Sequence, residues 1–372
     1  MRRIGAGALL MAAMTLSACG AWNTSVSPRV AIKTHDPCRS IPLPDGGQGL
    51  GVEDIDQDPA SGAFYLSAAD WAGAVRGATG PGAIYRLVPA ANGELTPQNV
   101  TPAMSVPFSP HGLDLYRPAN GGDARLFVIN HNDKAPSRIE VFDVGPDGRL
   151  TWSEAESGSY KDLKRPNDIA VAGPKAFYAT NDHAAPWRGW MPGPLEIIED
   201  GIAARTARVV HVDLATRTTK TAARAAFPNG VAIAPDGKTV YVSELTRSQV
   251  RIFTVRDDAT LAPAGRLAAP RMPDNLHLQD GRWLWVTAHD HVWDFRGHAV
   301  SWKKRKPKHP PSPGRVLRYD LAQRAPAATL VYGSTKAALK KDGGPSAVSV
   351  GVPGPGGVLL GSIYQGAWRC PG

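Results

Sequence analysis

From Glu53 onward, short apolar runs alternate with turn residues, and the alternation recurs. A polar motif leading into Ile, Leu or Val is followed, roughly ten to fifteen residues later, by a strand-like apolar run. Glu53-Asp54-Ile55 precedes Ala63-Phe64-Tyr65-Leu66-Ser67, His111-Gly112-Leu113 precedes Leu126-Phe127-Val128-Ile129-Asn130, and Asn167-Asp168-Ile169 precedes Ala176-Phe177-Tyr178-Ala179-Thr180. Asn229-Gly230-Val231 precedes Val240-Tyr241-Val242-Ser243, Asp274-Asn275-Leu276 precedes Leu284-Trp285-Val286-Thr287, and Ser346-Ala347-Val348 precedes Val358-Leu359-Leu360-Gly361-Ser362, which makes six units. Asp58-Pro59, Pro235-Asp236-Gly237 and Gln279-Asp280-Gly281 suit tight hairpins between paired strands. Outer strands such as Arg251-Ile252-Phe253-Thr254-Val255 and Arg315-Val316-Leu317-Arg318-Tyr319 follow. A period of about 40 to 50 residues with several short strands per unit is the signature of a propeller blade. The pattern predicts an all-β, six-bladed β-propeller. In that architecture the innermost strand of each blade faces a central channel, so the polar motifs converge on the axis. A pair of β-sandwiches, the competing architecture, would scatter them.

Composition agrees: Gly 39, Pro 33 and ten Trp favour turns and strands over long helices. The chain begins differently. Arg2 and Arg3, an apolar stretch from Leu9 to Leu16 and small residues up to Cys19 read as a signal peptide over 1–18. Leu16-Ser17-Ala18-Cys19-Gly20 resembles a bacterial lipobox, in which the Cys is diacylated and heads the mature protein. The alternative is an ordinary signal peptide that contains a Cys; the run is shorter than the ~20 residues a bilayer requires. The expected organisation is therefore the leader, a flexible tether over 19–37 from lipidated Cys19, and a propeller over 38–372. The expected location is the cell envelope, lipid-anchored to a bacterial membrane and facing the periplasm or the surface. With Cys19 assigned to lipid, Cys38 and Cys370 remain, near the two ends of the mature chain. In an oxidising compartment a bridge between them is the natural reading, and it would lock the blade where a propeller's first and last strands meet. Two unrelated thiols are the alternative.

The net charge of +9 raises nucleic acid as a partner, but much of the excess is one run, Lys303-Lys304-Arg305-Lys306-Pro307-Lys308, in a Pro-rich stretch. A solvated loop explains it, as would contact with anionic lipid head groups, and no nucleic-acid module accompanies it. Familiar hydrolase signatures are also missing. There is no Gly-x-Ser-x-Gly elbow, no His-Glu-x-x-His helix and no phosphate-cradling Gly loop; Ser301 to Lys304 matches Ser-x-x-Lys by spelling only. Gly46 to Gly51 reads as a flexible approach to the first blade.

The axis-facing motifs supply Glu53, Asn167, Asn229, Asp274 and Asn275, an oxygen-only set. Each alone has a plainer explanation as a turn, a loop cap or surface chemistry. Five at equivalent places in a repeat point instead to a hard cation. Calcium takes six to eight oxygens, Asn side chains included, whereas zinc wants His or Cys.

Gly51-Val52-Glu53-Asp54-Ile55, Pro110-His111-Gly112-Leu113, Asn130-His131, Pro166-Asn167-Asp168-Ile169, Asn181-Asp182-His183, Pro228-Asn229-Gly230, Pro273-Asp274-Asn275-Leu276 and Cys370, in this order, resemble the serum paraoxonase/arylesterase family within the gluconolactonase-like six-bladed propellers. The resemblance runs from Cys38 to Cys370. It implies two calcium ions: a catalytic one held by Glu53, Asn167, Asn229, Asp274 and Asn275, and a structural one held by Asp54, Asp168 and the backbone carbonyl of Leu113. Neighbouring residues on an extended segment point opposite ways, so each adjacent pair could serve two stacked ions. The resemblance further implies a hydrolase of esters or lactones in which calcium polarises the carbonyl, and a small-molecule substrate. His111, backed by His131, is the implied base for water; Asp274 or Glu53 could do the same work. His183 and His289 are expected to be structural. Gln365 stands where the vertebrate enzymes carry His, which together with the bacterial leader leaves the substrate open. The substrate is expected to depend on rim segments Trp71 to Pro81 and Pro186 to Pro194, with Trp187 and Trp190 hinting at an apolar rim. Two other functions fit the same pattern: a gluconolactonase or strictosidine-synthase-like propeller with a different substrate, and a non-catalytic propeller that binds a ligand or envelope protein.

Overall fold

A computed structural model describes residues 38–78, 80–118, 121–131, 135–185 and 194–371. The leader, Cys19, the tether and Trp187 and Trp190 lie outside the described residues. Six four-stranded antiparallel sheets form six blades: blade 1 over 51–99, blade 2 over 110–152, blade 3 over 166–225, blade 4 over 228–268, blade 5 over 273–333, and blade 6 over 348–371 with an outer strand from the N-terminal side. Their inner strands are Gly51–Gln57, Pro110–Tyr116, Pro166–Gly173, Pro228–Ile233, Pro273–Gln279 and Val348–Gly354. Each packs on the next, and the last packs on the first, so the ring closes. Apolar side chains fill the wedges between neighbouring blades. Phe127, Ile129, Phe177 and Val210 pack between blades 2 and 3, and Tyr178, Val231 and Val242 between blades 3 and 4. The inner strands bring Asp54, Asp56, Asp114 and Asp168 to the axis, among apolar neighbours.

Closure follows the predicted scheme. Arg39–Ile41 pairs antiparallel with Gly366–Pro371, and Cys38 is disulfide-bonded to Cys370 across 332 positions. The six-bladed propeller with its terminal lock is thus what the chain forms.

The inner strands are not flat. Each carries a register shift near its start: Val52/Asp54, Pro110/Leu113, Pro166/Ile169, Pro228/Val231, Pro273/Leu276 and Val348/Val350. A bulge re-aims side chains and releases the backbone from the ladder. Glu53 and both members of Asn167-Asp168, Asn229-Gly230 and Asp274-Asn275 therefore stand in bulges, while Asp54 stays in register opposite Ser67. In blades 4, 5 and 6 the preceding residue, Phe227, Met272 or Ala347, has a left-handed backbone with φ of 45°, 50° and 53°. Such conformations cost a non-glycine residue about 1 kcal/mol or more and persist where surrounding structure imposes them. Blade 6 differs from expectation in register as well. Ser346 and Ala347 precede its inner strand, and Ser349 occupies the bulge.

Helices Trp71–Ala74, Pro194–Gly201 and Val292–Lys303 connect second to third strands, which puts them on the face where the inner strands begin. The basic run starts at the end of the last of these and continues as exposed chain through Lys308, a solvated segment. No described helix is long and apolar enough to cross a membrane.

Candidate metal centre on the propeller axis

Glu53, Asn167, Asn229, Asp274 and Asn275 come from four blades, and all are buried. Glycine makes part of this convergence possible. A Cβ on Gly112 would lie 2.5 Å from the carbonyl oxygen of Asn167, and one on Gly230 would lie 2.6 Å from that of Asp274. Absent side chains on one blade thus let the next blade's motif approach.

Four side-chain oxygens at the axis, Glu53 Oε2, Asn167 Oδ1, Asn229 Oδ1 and Asn275 Oδ1, are buried without a hydrogen-bond donor. Leaving one such acceptor unsatisfied costs about 1–3 kcal/mol, so four together call for a common partner. The Asn275 amide orientation is fixed: its Nδ2 donates to the Glu53 carbonyl (2.9 Å) and to Glu53 Oε1 (3.0 Å), which leaves Oδ1 as the open atom. Asp274 Oδ2 lies 2.9 Å from His289 Nε2. Burial, with repulsion from Asp54 and Asp274, pushes the Glu53 carboxyl well above its usual range. A cation is the group that satisfies such oxygens and discharges that repulsion together. Among the described residues no three His, Cys, Asp or Glu side chains form a metal cluster. The set is instead two carboxylates with three amides, a donor chemistry that fits calcium and not zinc.

Beneath lies a cavity of about 90 Å³ along the axis, lined by Asp54, Asp56, Leu113, Asp114, Asp168 and His277 among others, with no Lys or Arg. Asp54 Oδ2 accepts the Leu113 N–H at 2.8 Å, and Asp168 Oδ2 accepts the Val231 N–H at 2.7 Å. Each carboxylate also accepts the N–H of the residue that follows it. These aspartates therefore fasten blade to blade, a role not anticipated from sequence. Burial still raises both, Asp54 to about 7, and the described residues lining the cavity include no Lys or Arg. Asp54 and Asp168 fit a second cation for that reason.

His111 stands beside the upper group. Its Nε2 is 3.6 Å from Glu53 Oε1, and its ring bonds the backbone carbonyl of Asn167. Trp71 packs edge-on at 5.1 Å between ring centroids, and His131 lies 4.9 Å away on the same measure. Burial, then the neighbouring His131, lowers the His111 pKa well below the usual imidazole value. Burial also takes His131 down to about 4; its Nδ1 is 2.8 Å from Ser137 Oγ.

His289 touches a candidate ligand and His183 does not. His183 is instead flanked by Asp182 and Asp200, each at 3.1 Å. Gln365 Oε1 accepts the Ser346 N–H at 2.6 Å, a cap on the loop entering blade 6. Sequence reasoning missed Thr180, Ser243 and Ser349, whose hydroxyls bond the carbonyls of Asn229, Asp274 and Glu53. A signal existed for the first two, because a Ser or Thr closes the apolar run in five of the six repeat units.

The chain matches the family model described as Arylesterase over residues 49–371. It is 28% identical to mouse serum paraoxonase/arylesterase 1 over 268 residues, 71% of this chain and 68% of that protein. Mouse serum paraoxonase/lactonase 3 is 28% identical over 255 residues, 68% of this chain and 69% of the relative. Among solved structures, a gluconolactonase from Xanthomonas campestris superposes with a TM-score of 0.51 at 16% identity, covering 92% of this chain and 99% of that one, a likeness of fold alone. With the match spanning all six blades, the chain belongs to the arylesterase family.

Proposed function

We propose that this arylesterase-family chain is a calcium-dependent hydrolase of carboxylic esters or lactones, working at the outer end of the axial channel. The four donorless oxygens on Glu53, Asn167, Asn229 and Asn275 carry the reading. With Asp274 they would hold the calcium nearer the substrate; Asp54, Asp168 and the Leu113 carbonyl would hold a second. A calcium bound there supplies Lewis acidity toward the substrate's carbonyl oxygen, where negative charge develops. The chain's own residues do the remaining work. Burial keeps His111 neutral, the form that can take a proton from water. Glu53, 3.6 Å away, faces the positive charge that this transfer creates. Ser137 orients His131, which packs against His111 and restricts its ring. Glu53 and Asp274 are already engaged by Asn275 and His289, which supports His111 over either carboxylate as the base. Trp71 covers the imidazole from the rim side.

The leader and lipobox extend this proposal to an envelope enzyme tethered through Cys19. The test is an assay of purified protein against aryl esters and aliphatic lactones. We expect hydrolysis that a chelator abolishes and calcium restores, with kcat reduced about 100-fold or more in His111→Gln. Turnover that survives both the chelator and Asn229→Ala, or none on any substrate, would overturn the reading.

A further inference from the structure

The bulges create a mechanical problem for the proposed metal site. Glu53, Asn229 and Asp274 sit where the ladder is interrupted, so ordinary strand pairing does not fix their backbones. Something else must set the direction of their side chains.

Three hydroxyls, each fully buried, occupy the junctions in question. Thr180 Oγ1 in blade 3 donates to the Asn229 carbonyl in blade 4 at 2.6 Å. Ser243 Oγ in blade 4 donates to the Asp274 carbonyl in blade 5 at 2.9 Å. Ser349 Oγ in blade 6 donates to the Glu53 carbonyl in blade 1 at 2.7 Å. A hydroxyl has one hydrogen, and the other carbonyls within reach are farther: Asp168 at 3.5 Å, Gly230 at 3.4 Å and Val52 at 3.3 Å. In every case the shorter contact belongs to a ligand residue and crosses from the preceding blade.

We propose that Thr180, Ser243 and Ser349 are positioning residues that hold three metal-ligand backbones across the blade junctions, so that their oxygens are preorganised for the cation. The inference rests on the calcium reading above. Groups that orient metal ligands typically govern affinity by about 10-fold to 100-fold. Thr287 supplies an internal control: it holds the equivalent place on the second strand of blade 5, is buried, and its Oγ1 makes no hydrogen bond.

The experiment titrates calcium chloride into chelator-stripped protein by calorimetry and records the melting temperature of each calcium-free form. Thr180→Val and Ser243→Ala should each weaken calcium binding about 10-fold. Thr180→Ser should bind like wild type, and so should Thr287→Val. Ser243→Ala removes a single oxygen and serves as the second probe should Thr180→Val fail to fold. Lower calcium-free melting temperatures with unchanged affinity would reduce the hydroxyls to structural roles and overturn the inference. Wild-type protein that binds no calcium would sink the metal reading itself, a failure distinct from equal binding by wild type and variants.

Discussion

At the scale of single residues, the chain separates two ways of burying charge. Around His183 the charges are paired. Burial pulls this imidazole down, but Asp182 and Asp200 outweigh it and hold its pKa at about 10. Asp182 goes the other way, to about 2, because Arg165 and His183 overcome its own burial. At the axis burial raises Glu53, Asp54 and Asp168, and the described residues that line the channel include no Lys or Arg, which is why the axis and not the His183 cluster asks for a metal. The paired cluster has its own consequence for stability. A histidine whose folded pKa lies above its unfolded value of about 6.5 stabilises fully below pH ~6.5 and loses that contribution as pH rises through about 10. Burial raises Asp200, which offsets part of the gain. His183→Asn should therefore destabilise by about 2–3 kcal/mol near pH 6, with the gap narrowing toward pH 10 in urea melts. A gap independent of pH would contradict the paired-charge account.

At the scale of elements, the decisive feature is the bulge at the head of every inner strand. The repeat of polar motif and apolar run made the blades legible, because blade period and strand composition are local properties of sequence. Glu53, Asn167, Asn229, Asp274 and Asn275 could be named for the same reason. The bulges could not be read, since an inserted residue shows only against its partner strand. Phe227 and Met272 gave no warning of left-handed backbone, and neither residue type favours it. In blade 6 the motif at Ser346 marked the loop instead of the bulge, because Ser346 and Ser349 look alike until the register of Val348–Gly354 is known. The blade-to-blade bonds of Asp54 and Asp168 were equally hidden, being contacts between distant segments.

At the scale of the whole molecule, a closed ring must be locked where it begins and ends. Arg39–Ile41 contributes only three residues to blade 6, and two of them are exposed. So short a strand is weakly held by its ladder, and Cys38–Cys370 supplies the constraint, closing a loop of 332 positions. Loop-closure arithmetic gives about 6 kcal/mol for a span of this size. Replacing both cysteines with Ser should lower stability by that order and speed amide exchange over 39–41, while an unchanged denaturation midpoint would show that the ladder suffices. The same closure gathers oxygens from four blades onto one line, and the account depends on that gathering. Anomalous diffraction from crystals of the calcium-soaked protein tests it most directly. We predict a peak on the axis about 2.3–2.6 Å from oxygens of Glu53, Asn167, Asn229, Asp274 and Asn275; no peak there, with those oxygens solvated by water alone, would contradict it.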